Sequence, residues 1–417
     1  MRAQALTLAA LVLLLQSVAC RQHPLPQVDP TPIGVWRVGL NSPGGELPFF
    51  LELSREAGHI TATLINGAER VITSDVATSG RDLVIDFRAF NSRISASLEN
   101  GFLVGALSVV KSGGGRQMMP LRAVKGQPER FSPLGEPAAV DITGRWGVAF
   151  RQVDGTITPA VGEFKQSGSK LTGTFLTPSG DYRFLEGDVA GSRVRLSTFD
   201  GYHAFLFDAR VDNDGVMRGD FWSGTEWHET WEAVRDESAS LTSPDALTYL
   251  KPGARAFTFA FPDTTGELVS LADSAFVNKV VIVTIAGTWC PNCHDEAAFL
   301  ARFYRENRER GVEVVALLYE HLDDFDSAVA QAREFARRHR IEYPLLIAGT
   351  SEKGEAQKTL PMLNHIMAYP TTVFIDRQGA VRKIHTGFTG PGTGGHYLEL
   401  IKEYSDYVDF LLAEKPA

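Results

Sequence analysis

The chain reads as two repeated antiparallel all-β domains, barrel or sandwich, followed by one α/β domain. Three observations predict this. Its 417 residues exceed what a single core ordinarily fills. Two stretches in the first part echo each other at a nearly constant offset. Beyond Pro252 the texture changes from short alternating runs to buried strands alternating with helical spacing.

Met1-Arg2 and the apolar run 3–15 read as a signal peptide over residues 1–19, too short for a comfortable membrane span of ~20 residues. The run ends in Ser17-Val18-Ala19-Cys20, which resembles a bacterial lipobox, with Ser17 where Leu is usual. That resemblance makes Cys20 the lipidated first residue of the mature chain. Arg21 after it carries no inner-membrane retention signal, so the outer membrane is favoured. A plain secretory signal cut near Ala19 is the alternative, giving a periplasmic or secreted protein. Residues 20–32, rich in Pro and polar side chains, form an extended tether rather than a core.

The repeated domains span 33–125 and 141–235. Gly34-Val35-Trp36 answers to Gly144-Arg145-Trp146, the two Trp being 110 residues apart. Ile60-Thr61-Ala62-Thr63-Leu64 answers to Leu171-Thr172-Gly173-Thr174-Phe175, and Ala123-Val124-Lys125 to Ala233-Val234-Arg235. Asn100-Gly101 ahead of Gly105 matches Asp214-Gly215 ahead of Gly219. Short period-2 runs such as 83–87, 193–199 and 203–211, separated by turn residues, argue an antiparallel barrel or sandwich. A Gly-x-Trp opening resembles that of small ligand-binding β-barrels, but a Trp plugging the barrel floor accounts for it. Trp222, Trp227 and Trp231 are expected in the core more than on a binding surface. Polar segments 126–139 and 236–252 mark the boundaries.

In the α/β domain, 253–417, the run 279–286 is continuous, β-branched and apolar, as a central buried strand requires. Helical spacing follows over 295–310, then a second buried strand at 312–319 and a helix at 326–340. Residues 373–375 and 381–385 flank a turn as a hairpin, and 397–412 close as a helix.

Trp289-Cys290-Pro291-Asn292-Cys293 falls where the first buried strand hands over to a helix. A cysteine at a helix N-terminus meets unpaired N–H groups and the positive end of the dipole, which favour thiolate, the attacking species in disulfide exchange. Cys290 is therefore the expected nucleophile and Cys293, one turn in, the resolving cysteine. Pro291 suits a first-turn position that needs no N–H. Cys20, Cys290 and Cys293 are the three cysteines of the chain. With Cys20 lipidated, the remaining pair is suited to redox work rather than to stapling the fold.

This order of strand, W-C-x-x-C, helix, strand, helix, then Tyr369-Pro370-Thr371-Thr372 before a hairpin resembles the TlpA-like thiol-disulfide reductases of the thioredoxin superfamily. The likeness covers the region after Pro252 and not the β-rich part. It implies a thioredoxin fold, a cis Pro370 packed against the cysteine pair, and a Tyr369 backbone that pairs with an extended substrate. Trp289, Pro291, Tyr369 and Pro370 are then the substrate-binding residues. It also implies an enzyme that reduces disulfide-bearing exported proteins and is recharged by a membrane thiol electron donor. General thioredoxins bury an Asp six positions before the first cysteine, where this chain has Thr284. The TlpA-like branch often has an acid three residues after the second cysteine, and Glu296 stands there. Behind an apolar wall of Val283, Ile285 and the Pro370 loop, Glu296 could accept the Cys293 proton, giving the catalytic set Cys290, Cys293 and Glu296. A solvated first-turn Glu is the bland reading. Residues 383–391 also resemble, more loosely, peroxiredoxin-like exported proteins.

Other chemistries fit less well. C-P-N-C-H, with His294, satisfies the c-type haem pattern, but a preceding buried strand and the later Y-P-T-T hairpin do not suit a haem domain. Zinc wants about four ligands, and one cysteine pair with His294 falls short, so no cofactor or metal is expected. A peroxidase of the peroxiredoxin kind wants Thr and Pro where Gly287 and Val283 stand. The glycine-rich 387–395 lacks the Lys-Ser/Thr of a phosphate loop. A net charge of −9 offers no basic footprint for nucleic acid. A lipoprotein whose β domains bind a ligand or partner, with the redox domain as accessory, remains a reading of a different class.

Overall fold

The computed structural model describes residues 32–73, 75–131, 136–254, 256–352 and 354–414. The signal peptide, Cys20 and nearly all of the tether lie outside them. Among the described residues the first β domain is a nine-stranded antiparallel meander from Gly34 to Lys125, whose first and last strands pair side by side. The second, from Gly144 to Arg235, closes completely, because its second and third strands also pair. Both are barrels rather than sandwiches.

The sequence echoes are structural. Trp36 sits opposite Lys125 and Trp146 opposite Arg235 in the seam that joins first strand to last. Each cation lies over its Trp ring, at 5.8 Å and 4.7 Å. Gly34 and Gly144 hold φ of +126° and +117°, and a Cβ at either would strike that same Lys or Arg within 3 Å. The Gly-x-Trp opening is thus a closure device for the barrel.

Alternation sends Trp36, Phe49, Leu64 and Ile85 inward in the first barrel. The second is packed with aromatics, among them Phe150, Phe175, Phe207, Phe221 and Trp231, with Phe207 stacked on Phe221 at 4.4 Å. Of the three tryptophans expected in the core, Trp231 is there. Trp222 packs on the first barrel at Gly44, and Trp227 is exposed. The segment between the barrels is not a passive spacer. Arg130 is buried against Asn66, Glu186 and Ser197, and Phe131 enters the first core.

The C-terminal domain has a five-stranded sheet with helices over it. Its elements are β1 (Val280–Ala286), α1 (Pro291–Asn307), β2 (Val312–Glu320), α2 (Phe325–His339), β3 (Leu345–Thr350), α3 (Glu355–Thr359), β4 (Thr371–Ile375), β5 (Val381–Thr386) and α4 (Gly395–Ala413). The strand order is β3-β2-β1-β4-β5, with β1, β2 and β3 parallel and β4 and β5 antiparallel to their neighbours. This is the thioredoxin fold the pattern predicts. Helix α1 starts four residues earlier than its spacing suggested, because Cys290 caps it and Pro291 occupies its first turn. Strand β3, helix α3 and a small hairpin at Ala260–Pro262 and Leu268–Ser270 were not foreseen.

Candidate active site

Strand β1 ends beneath the N-terminus of α1, which places Cys290 at the helix cap. Its sulfur accepts the Cys293 backbone N–H at 3.4 Å and donates to the Tyr369 carbonyl at 3.4 Å. The Tyr369–Pro370 peptide is cis. Two segments far apart in sequence therefore meet at one sulfur. Cys293 is 1% exposed against 5% for Cys290, and both are free thiols. Burial raises the Cys293 thiol well above its ordinary value, with the adjoining Cys290 next in effect.

Trp289 donates its indole N–H to the Tyr319 carbonyl at 2.9 Å and stacks on His321 at 4.1 Å. Tyr369 meets the Trp289 ring edge-on at 5.8 Å. Pro291 is buried at the first turn of α1. Trp289, Cys290, Pro291, Cys293 and Tyr369 thus gather at one place.

Glu296 is not a solvated first-turn residue. It is 1% exposed, and both carboxylate oxygens accept from threonine hydroxyls, Thr284 of β1 and Thr372 of β4. Burial drives its carboxyl up to about 7, against the opposing pull of those two hydrogen bonds. The wall around it differs from the one expected. Val283 and Ile285 belong to the core on the opposite face of the sheet, since β1 side chains alternate. Thr284 is the residue that points at α1. The position where general thioredoxins keep an Asp thus holds the partner of the relocated acid. The Cys293 thiol, Tyr343 and Tyr404 all sense the Glu296 charge.

A second buried acid went unnoticed in the sequence. Glu320, at the end of β2, accepts both the backbone N–H and the hydroxyl of Thr288, at 3.0 Å and 2.7 Å. Burial lifts it to about 7 as well. It fixes the turn leading into Trp289-Cys290. The signal was a Glu closing a mostly apolar run. His294 is equally buried. Its Nε2 faces the carbonyls of Thr288 and Ala89 and so carries the proton, leaving Nδ1 to accept from His339 at 2.6 Å. Among the described residues no group of three or more His, Cys, Asp or Glu could hold a metal ion.

Comparison with known proteins finds likeness in the C-terminal part of the chain. Residues 252–384 match the model of the AhpC/TSA family. The thiol-disulfide oxidoreductase ResA of Halalkalibacterium halodurans is 29% identical over 157 residues, covering 36% of this chain and 78% of that one. ResA of Bacillus subtilis is 28% identical over 153 residues, 37% of this chain and 77% of the relative. The C-terminal domain is thus similar to the thioredoxin-like thiol-disulfide oxidoreductases. Among solved structures, a thiol:disulfide interchange protein of the thioredoxin family from Chlorobium tepidum aligns at 21% identity with a TM-score of 0.30, covering 38% of this chain and 95% of that one. The relatives named here thus match only the C-terminal part, and the two barrels lie outside the likeness.

Proposed function

We infer that the chain is an exported thiol-disulfide oxidoreductase, lipid-anchored through Cys20 on the periplasmic side, that reduces disulfides of exported proteins. The observation that carries this is the Cys290 sulfur, placed at a helix cap between the Cys293 N–H and the carbonyl preceding cis Pro370. The Cys290 thiolate attacks one sulfur of a substrate disulfide, forming a mixed disulfide and releasing the other sulfur as thiolate. Cys293, its proton passing to Glu296, then attacks Cys290. The substrate leaves as dithiol and the enzyme as the Cys290–Cys293 disulfide, two electrons having moved outward. A membrane thiol donor returns them. Trp289, Pro291, Tyr369 and Pro370 form the surface on which an extended substrate strand is held.

The test is trapping. Cys293→Ser should accumulate mixed disulfides through Cys290, and Cys290→Ser should accumulate none. Equal trapping by both variants would overturn the assignment of roles.

A further inference from the structure

The face of a thioredoxin fold that must meet substrate is here covered. Cys290, Asn292, Cys293 and His294 are each 5% exposed or less. The cover comes from both barrels. From the first, the Ala89 carbonyl accepts from His294 and the Phe90 ring lies 4.5 Å from it. From the second, the Asp181 carbonyl accepts from the Asn292 side chain at 3.1 Å. The Asp181 carboxylate takes the Gly390 N–H at 2.6 Å. Tyr202 packs on Trp289 at 5.2 Å, and its hydroxyl bonds His321 at 2.9 Å.

One side chain ties the three domains together. Arg183, in a turn of the second barrel, donates to Glu69 of the first barrel at 2.6 Å and lies 3.5 Å from Asp200 of its own. On the third domain it donates to the Pro291 carbonyl at 3.0 Å and to Asp295. Its backbone is left-handed, φ +57°, with its N–H held by Asp181. The guanidinium therefore grips the first turn of the very helix that Cys290 caps. A planar fork with several donors suits this junction in a way a lysine would not.

We propose, resting on the thiol-disulfide reading of Cys290, that the two barrels are a gate over the dithiol, latched by Arg183, which decides which disulfides reach Cys290. In the closed form a folded protein cannot bring a disulfide to the sulfur, because Asp181, Arg183 and Tyr202 occupy the approach. Reduction of a protein substrate requires the barrels to lift from α1. The covalent link that permits this is the mostly exposed stretch 236–243. Such a gate has a chemical purpose in an oxidising compartment, where an open dithiol is consumed by any oxidant it meets.

Two changes open the gate by different routes. Arg183→Met removes the latch. Gly392→Ala adds a methyl on the thioredoxin side that would meet the Arg183 backbone at 2.8 Å, at a glycine outside the left-handed region, so neither barrel is altered. The measurement is the rate of Cys290 labelling, read by peptide mapping on the reduced full chain. N-ethylmaleimide is compared with the same maleimide carried on a polyethylene glycol chain. The wild type should discriminate strongly against the bulky reagent. Each variant should raise the bulky rate relative to the small one by about tenfold, a population shift of about 1.4 kcal/mol. If Arg183→Met fails to fold, Gly392→Ala decides alone. A wild type that labels equally with both reagents, or a size ratio unchanged in the folded variants, overturns the gate. Reduction of glutathione disulfide separates the two readings. A chain that shows the size ratio yet exchanges with no disulfide keeps the gate and loses the oxidoreductase.

Discussion

Glu296→Gln is the substitution that interrogates the site most deeply. The side chain keeps its shape and can still bond both Thr284 and Thr372, one hydroxyl turning to accept from the new amide. What it loses is charge. In the folded protein the carboxyl titrates at about 7 against an ordinary 4.5, so the folded state holds a proton that the unfolded state has released. Stability from this group is therefore present below about pH 4.5 and is lost as pH rises towards 7. The difference of two and a half units corresponds to about 3 kcal/mol. Chemical denaturation at about pH 4 and about pH 8 should show the variant gaining about that much relative to wild type across the interval. In stopped-flow resolution of a mixed disulfide, the wild-type rate should rise with the titration near 7. The variant should instead follow the raised Cys293 thiol and be slower at neutral pH by on the order of 10²-fold. A resolution profile that overlays wild type, together with a stability difference that does not vary with pH, would refute the base assignment.

Three further outcomes can be checked independently. Thr288→Val leaves the buried Glu320 carboxylate one donor short and should destabilise the domain by about 1–3 kcal/mol in denaturant titration. Phe207→Ala opens a void in the aromatic interior of the second barrel, where Phe207 is 1% exposed, and should cost about 3–5 kcal/mol. Cys20→Ser should move the protein from the membrane to the soluble fraction while reduction of a small disulfide is unchanged. A variant that still sediments with membranes would contradict the lipid anchor.

The fold was legible where local pattern and packing agree. The run 279–286 read as a buried strand, and four echoes in register, the Gly-x-Trp among them, announced two copies of one β domain. The cysteine pair was readable from its spacing and its place after a buried strand, whereas the cis Pro370 and the acid at Glu296 came from the resemblance to the TlpA-like reductases. The Glu296 wall was misread because alternation along β1 turns Thr284, not Val283 or Ile285, towards α1. Glu320 was hidden because a single acid ending an apolar strand looks the same whether it is solvated or buried. Arg183 and Tyr202 carried no signal at all. Their partners on the third domain lie more than 80 residues away, and only the folded chain brings Arg183 to Pro291 or Tyr202 to Trp289.

The reduction potential of the Cys290–Cys293 couple, measured on the full chain against glutathione or dithiothreitol buffers, tests the central claim most directly. A reductant of exported proteins should show a two-electron couple near that of thioredoxin, about −270 mV, abolished by either Cys290→Ser or Cys293→Ser. A couple near about −120 mV, in the range of a strong disulfide donor, would contradict the proposed direction of electron flow.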